Sequence, residues 1–399
     1  MEKVDVKFFT GSRSRDGLVS HVLSFCKDRE ISMAAWRAPR SEEIHLILDF
    51  NENNIHASTA LEDLPAGFMF SPFDKKKEPT FIKNEVYLAL GTGEFRGSSE
   101  KIDKMQDYIL SNLPSSKEPP KESASTIGEK LGLPSDHRDH FVDLVALGMK
   151  MIGQGHVQKV VPSRTKEIEL PAGFKPGKLF FDLCSTYTNA FVSLVYTPRH
   201  GAWMGATPEL LIDVSGDTFK TVSLAGTQKY DPERSLSEVA WTQKEIEEQA
   251  LVSRYIINCF KKIRLREFEE IGPKTVRAGN LIHLKTEYSV DMAATNFPNL
   301  GSVMLDLLHP TSAICGMPLQ ASLDFILEHE HYDREFFSGY LGPVNFDNKT
   351  SLFVNLRCMK LHNGTATLYA GAGVTEDSDP AKEWLETEMK MNTLLNIIR

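Results

Sequence analysis

A few charged residues stand where this chain otherwise keeps apolar side chains, and their types point to proton transfer on an anionic molecule. Lys159 lies in HVQKVVP, flanked by valines in an expected strand. Desolvation there lowers an amine's pKa and makes it usable as a base; a lysine whose stem is buried and whose ammonium reaches water fits the same flanks. Glu209 follows Pro208 in GATPELLI and precedes Leu210, Leu211 and Ile212. Burial raises a carboxyl pKa and suits it to donate a proton near neutral pH, although an edge-strand glutamate has the same neighbours. Glu248 sits one turn before Val252 on a helical stripe that continues through Tyr255, Ile256, Cys259, Phe260 and Ile263. A carboxylate pointed inward needs a counter-charge or a metal, unless the helix end is still solvated at that turn.

A second acidic group lies near the C-terminus. Asp379 as cap and Pro380 in the first turn mark a helix start, because they satisfy or dispense with its free amide groups. Counting onward, Glu383, Glu386 and Lys390 share one face, which Leu394 and Ile397 continue. If that face points inward, its carboxylates together with Glu248 form a hard oxygen set of the kind Mg²⁺ prefers; if outward, they are a salt-bridged surface. The AGAG stretch at 370–373 lacks bulk, so its amides can approach an anion, and Arg357 in the strand before it can grip a carboxylate. Those glycines equally suit a tight turn.

These residues need a scaffold, and 399 residues, 41% of them hydrophobic, can bury a large core. KVVP, FVSLVYT, GAWMGA, LLIDV, SLFVNLRC and TATLYAGAG are β-branched or aromatic runs broken by turn residues. The last two are separated by MKLHNG, which suggests a hairpin. HLILDF at 45–50 and VYLAL at 86–90 add earlier strands, and helices are expected over 17–29, 241–263 and 380–398. The class is mixed α and β (α+β), with large antiparallel sheets flanked by helices. LPSSKEPPKESAS, residues 113–125, reads as a linker-like loop between an N-terminal part (1–112) and a chemically richer region (126–399).

Composition excludes several classes. Acidic side chains number 54 against 45 basic ones, a formal charge of -9, with no basic stripe for a nucleic-acid backbone. MEKVDVKFF carries charge where a signal peptide is apolar, and no run approaches the roughly 18 apolar residues of a membrane span; the expected location is the cytoplasm. Cys26, Cys184, Cys259, Cys315 and Cys358 are too scattered for a disulfide framework or a zinc site and read as reduced core residues. GTGEFRG at 91–97 misses the dinucleotide spacing, and EHEHYD at 328–333 reads as a solvated helix end.

From about Leu144 onward, QKVVPSR, GATPELLI, SLAGT, EIEEQALV, LIHLKTEY, LLHPTSAICGMP, YDREFFSGYLG, LFVNLRC, LYAGAGV and DPAKEWLETEMK occur in an order that resembles the chorismate-binding family, which includes isochorismate, salicylate, anthranilate and aminodeoxychorismate synthases. Residues 1–112 match it far less clearly. The resemblance implies one large α/β unit, chorismate as substrate and Mg²⁺ as cofactor. Lys159 resembles the base that activates water and Glu209 the acid that protonates the departing hydroxyl. Glu248 and Glu386 look like direct Mg²⁺ ligands, with Glu383 close by. Gly226, Thr227, Arg357, Gly371, Gly373 and Lys390 resemble residues contacting the substrate's carboxylates, and His283 and Thr286 match the family's H-L-x-T strand. Gln249 departs from the pattern, since many relatives carry histidine there; the metal is expected to be undisturbed and the surrounding hydrogen bonds altered.

Within the family, lysine at 159 resembles the water users, because ammonia users tend to carry glutamine there. HPTSAICG, with Ala313 and Ile314, resembles isochorismate synthases, the implied activity being isomerisation of chorismate to isochorismate. The rivals are a salicylate synthase, an ammonia-using large subunit with a glutaminase partner, and a non-catalytic chorismate-binding paralogue, which should have lost Lys159 or Glu209. The implied isochorismate synthase needs no glutaminase, and a monomer or loose dimer is expected from net charge and the lack of a heptad.

Overall fold

The structure, a computed structural model, describes residues 2–3, 15–51, 60–111, 138–278 and 281–398. The linker-like 113–125 lies outside the described residues. The chain begins β1 (Glu2–Lys3), α1 (Arg15–Arg29), β2 (Ser32–Arg37), β3 (Ile44–Asp49), β4 (Gly67–Ser71), β5 (Thr80–Lys83), β6 (Val86–Ala89), β7 (Glu94–Gly97), α2 (Ser99–Ser111) and α3 (Arg138–Gly153). It continues β8 (Lys159–Val160), β9 (Ser163–Glu169), α4 (Pro176–Thr186), β10 (Phe191–Thr197), β11 (Gly201–Thr207), β12 (Leu210–Ser215), β13 (Thr218–Lys229), α5 (Gln243–Lys262), β14 (Glu269–Ala278) and β15 (Leu281–Asp291). It closes α6 (Leu300–Leu308), β16 (Gly316–Met317), α7 (Leu319–His329), β17 (Tyr340–Val344), β18 (Lys349–Val354), β19 (Cys358–Leu361), β20 (Thr365–Gly371) and α8 (Pro380–Ile398).

The strands form a ten-stranded sheet, β1-β7-β6-β3-β2-β10-β11-β19-β20-β9, and an eight-stranded sheet, β14-β15-β13-β12-β18-β17-β4-β5. Every pairing in them is antiparallel, so the mixed class with large antiparallel sheets is the fold observed. Strands from before residue 100 are hydrogen-bonded to later ones in both sheets, β2 to β10 and β4 to β17.

Strand alternation explains the layering. In β2, Met33 and Ala35 pack with α1, α2 and α4 in one core, whereas Ala34 and Trp36 face the gap between the sheets. That gap is filled by aromatic rings, with Phe70 on Phe336 at 3.7 Å and Phe191 on Phe353 at 4.3 Å between centroids. Each fully buried ring contributes roughly 1.5–3 kcal/mol, so the intersheet layer fixes one sheet against the other. A third core lies between the eight-stranded sheet and α3, α5, α6 and α7. All five cysteines are free and buried in these cores.

The expected hairpin needs correction. SLFV forms β18 in the eight-stranded sheet, and the chain crosses to the ten-stranded sheet at Asn355–Arg357 before MKL extends β19. The hairpin is β19 with β20, turning at His362–Gly364. EHEHYD needs correction too: His329 ends α7, but Glu330 is buried and ion-paired to Arg334.

Candidate active site

The site forms where the two sheets part around β8. β8 pairs with β16 on one side, Met317 facing Lys159, and Val160 bridges Val374 on the other. Val161 N–H adds a bond to the Cys315 carbonyl at 2.9 Å. Three segments far apart in sequence, around 159, 314 and 373, are thereby held side by side.

Lys159 is 0% exposed, and its Nζ donates to Glu248 Oε1 at 2.9 Å. The amine therefore stands in an ion pair, rather than alone among valines as the flanking residues suggested. Glu248 reaches it from α5, whose start is fixed by a Thr242–Glu245 capping box. Burial works to raise the Glu248 pKa, but Lys159 prevails, with Lys390 and Lys244 assisting, and holds the carboxyl below its usual range. Gly373 covers the pair: a Cβ there would lie 2.5 Å from Glu248 Oε1 and 3.1 Å from Lys159 Cε.

Glu209, at the entry to β12, is buried in the wall of the same cleft, and desolvation raises its pKa to about 7 against the pull of Arg357, Lys159 and Lys390. A carboxyl so poised holds a proton at neutral pH and can give it up.

Basic side chains and glycines line the same cleft. Arg357 takes the left-handed conformation, φ 49°, at the sheet crossing, and its carbonyl accepts from Ala206 N–H at 3.1 Å. Its guanidinium has no hydrogen-bond or ion-pair partner among the described residues. Desolvation lowers its pKa, with Glu386 and Glu209 acting in the opposite direction. Lys390 donates to the Gly371 carbonyl at 2.9 Å and to Glu386 at 2.7 Å. Gly226 adopts φ +68° where β13 bulges, and its carbonyl lies 2.8 Å from His283 Nδ1, with Thr227 Oγ1 at 3.3 Å. Burial, then Arg357, pushes the His283 pKa down to about 3. A neutral ring donating from Nδ1 leaves Nε2 as a buried acceptor with no partner.

Glu209, Gly226, Thr227, Glu248 and His283 line one cleft together with Ala313, Ile314, Arg357, Gly371, Gly373 and Lys390. Lys159 lies beneath Gly373 rather than on the surface of that cleft. Thr286 is not brought to it: buried in β15, its hydroxyl accepts from the Gln249 amide at 3.1 Å, and that amide also binds Ser223 Oγ at 2.8 Å. Gln249 thus has a hydrogen-bond set of its own, leaving its Oε1 without a partner among the described residues.

Glu383 and Glu386 stand one turn apart on α8, which starts where expected, Asp379 Oδ1 accepting from Ala381 N–H at 2.9 Å. Glu383 is 1% exposed; its Oε1 ion-pairs with Lys244, and its Oε2 is buried without a partner. Burial and the neighbouring Glu386 raise its pKa, with Lys244 opposing. Among the described residues no ready-made cage of three metal-ligating side chains is found, because each carboxylate is drawn to a lysine. Even so, hard oxygen donors, mutual repulsion and an orphaned buried oxygen suit a small hard cation.

Arg334 and Ser163 also line the cleft and were not singled out from the sequence. Arg334 donates to the Ile314 carbonyl at 2.9 Å and the Val161 carbonyl at 2.7 Å, tying the segments beside Lys159 together. Its buried partner Glu330 also accepts from Ser163 N–H at 2.7 Å. The sequence signal was present in YDREFFSGYLG, but nothing local showed that its arginine turns inward.

A buried carboxyl with a pKa near neutrality and an unpaired guanidinium, in one cleft between two antiparallel sheets, are a combination suited to proton transfer on a small carboxylate molecule. Sequence comparison narrows the class: residues 74–399 match the chorismate binding enzyme family, and the chain belongs to it. It is 28% identical to isochorismate synthase EntC of Escherichia coli K12 over 331 residues, covering 82% of this chain and 79% of that protein. Its fold resembles that of MenF, the menaquinone-specific isochorismate synthase from Escherichia coli, with a TM-score of 0.75 at 19% identity over 100% of this chain and 94% of that one. Anthranilate synthase component I from Streptococcus pneumoniae shares the fold at a TM-score of 0.65 and 17% identity, over 93% of this chain and 92% of that one. The fold is therefore shared by proteins that carry different names. No helix among the described residues is long and apolar enough to cross a membrane.

Proposed function

We propose that this protein is an isochorismate synthase, adding water at ring carbon 2 of chorismate while the ring carbon 4 hydroxyl departs. The observation that carries the reading is Glu209, a buried carboxyl with a pKa of about 7 in the cleft that also holds the unpaired Arg357. Hydroxide leaves readily only if it is protonated on departure, and a carboxyl at that pKa is a competent donor. The water oxygen bonds to carbon 2 as its proton passes to the Lys159 amine; the two ring double bonds each shift by one position, carrying the electron pair round the ring to carbon 4, and the bond from carbon 4 to oxygen breaks as Glu209 supplies a proton to the departing hydroxyl. Lys159 must first give up a proton, because the ammonium ion-paired with Glu248 has no lone pair with which to take one from water. Arg357 and Lys390 bind the carboxylates of the substrate, and the His283 Nε2 acceptor is available to a substrate hydroxyl.

Mg²⁺, if held by Glu248, Glu386 and Glu383, supplies positive charge against the ring carboxylate. No ammonia is used, no glutaminase partner is required, and the expected setting is the cytoplasm. The test is product analysis of purified protein with chorismate and Mg²⁺. Isochorismate should approach a mixed equilibrium with chorismate, pyruvate should stay at background, and EDTA should abolish turnover. Stoichiometric pyruvate with salicylate, or an aminated product in ammonium salts, would assign a different family chemistry.

A further inference from the structure

Each of the three carboxylates at the cation site has an ammonium partner: Glu248 has Lys159 at 2.9 Å, Glu386 has Lys390 at 2.7 Å, and Glu383 has Lys244. Two of those lysines have other work. Lys159 is the proposed base, and Lys390 also donates to the Gly371 carbonyl in the cleft wall. Lys244 does not line the cleft. Among the described residues its hydrogen-bond partner is Glu383, a contact that joins α5 to α8. It stands one turn before Glu248 on α5, and Glu383 one turn before Glu386 on α8, so its charge falls among all three carboxylates. Glu383 is 1% exposed, and its second oxygen is buried with no partner. That orphaned oxygen marks a place for a further positive charge which Lys244, occupying the first oxygen, does not supply.

We infer that Lys244 is a built-in counter-ion that competes with a divalent cation at Glu383, keeping the metal-free site neutral enough to stay folded and lowering its affinity for the cation. The inference rests on the reading that Glu248, Glu383 and Glu386 bind Mg²⁺. The physical basis is Coulombic. A fixed ammonium among the ligands repels an incoming dication in a partly buried site, where charges act more strongly than in water. It also spares a buried carboxylate from standing without a partner when no cation is present.

Mn²⁺ binding, followed by loss of the free-ion electron paramagnetic resonance signal without chorismate, tests this on the full chain. Lys244→Met should bind Mn²⁺ on the order of tenfold more tightly than the wild type, while Lys244→Arg should stay near it. In EDTA the Met variant should unfold at a lower temperature than the wild type, and Mn²⁺ should raise its midpoint by more. Should the Met variant fail to fold even with Mn²⁺, Lys244→Gln, which keeps a donor without the charge, carries the same expectation. Wild-type binding with no tightening in a folded neutral variant overturns the role of Lys244 alone. If neither wild type nor variants bind Mn²⁺, the metal reading fails, and this inference with it.

Discussion

Lys159 on β8 and Glu248 on α5 are each other's counter-ion, 2.9 Å apart, although they lie 89 residues apart in the chain. The expected base and an expected cation ligand are therefore one electrostatic unit, and a change at either is felt by the other. Gly373 lies against the Glu248 carboxylate and the Lys159 Cε, so a third segment limits how far the pair can move.

The pair is asymmetric in burial, 0% exposed for the Lys159 side chain and 18% for that of Glu248. Glu248→Ala strands an ammonium in the interior and should lower stability by about 3–5 kcal/mol. Lys159→Met leaves a carboxylate that still reaches solvent and should cost less, while lowering turnover by roughly two orders of magnitude or more. Urea unfolding at neutral pH ranks the two variants. Equal losses would argue against the asymmetry, and near-normal turnover in Lys159→Met would remove lysine from the chemistry.

Glu209 sets a pH dependence whose sign follows from its raised pKa of about 7. Protonated Glu209 is the competent acid, so the turnover attributed to it should fall as pH rises through that value. Stability has the same direction: the folded-state pKa lies above the unfolded one, so the contribution is full below the ordinary carboxyl range and is lost as pH climbs toward about 7. Glu209→Gln cannot ionise, and its melting temperature should decline less than that of the wild type between pH 5 and pH 8, with turnover down by about a hundredfold or more. Parallel melting curves for the two proteins would contradict the buried-carboxyl assignment.

Arg357 has no protein partner for its guanidinium among the described residues, so removing it leaves no orphaned acceptor behind. Arg357→Ala should therefore fold normally and weaken chorismate binding by about tenfold to a hundredfold, the range of a lost charge-assisted hydrogen bond. Arg357→Lys should recover only part of this, because an ammonium lacks the planar fork. Titration calorimetry with chorismate separates the three proteins. A loss of melting temperature matching the loss of affinity would instead give Arg357 a structural role.

Gly373→Ala introduces a single methyl group 2.5 Å from Glu248 Oε1. Either the carboxylate or β8 must shift to accept it, and the Lys159–Glu248 geometry is disturbed in both cases. Activity should drop by an order of magnitude or more with little change in circular dichroism. Gly364→Ala, at the β19–β20 turn where no atom lies within 4 Å of the added Cβ but φ is +81°, is a control: it should cost stability through backbone strain and leave kcat nearly unchanged. Equal effects on kcat from the two substitutions would mean that Gly373 matters only as a flexible joint.

The features legible along the chain are local patterns. Apolar periodicity outlined α5 and α8, and Asp379 with Pro380 placed the start of α8 correctly, because helix caps depend on neighbours within one turn. Lys159, Glu209 and Glu248 stood out as charges in apolar contexts, and all three reach the interior of one site. Their partners come from long-range packing. Whether Lys159 meets water or a carboxylate, whether Thr286 faces substrate or Gln249, and whether Glu330 is solvated or clamps Arg334 each depends on a segment dozens of residues away. The same limit accounts for the misplaced hairpin: SLFVNLRC has one unbroken strand pattern, yet the chain changes sheets within it at Asn355–Arg357. Periodicity records which side chains prefer burial; which charge is buried opposite which is set by the packing of the two sheets.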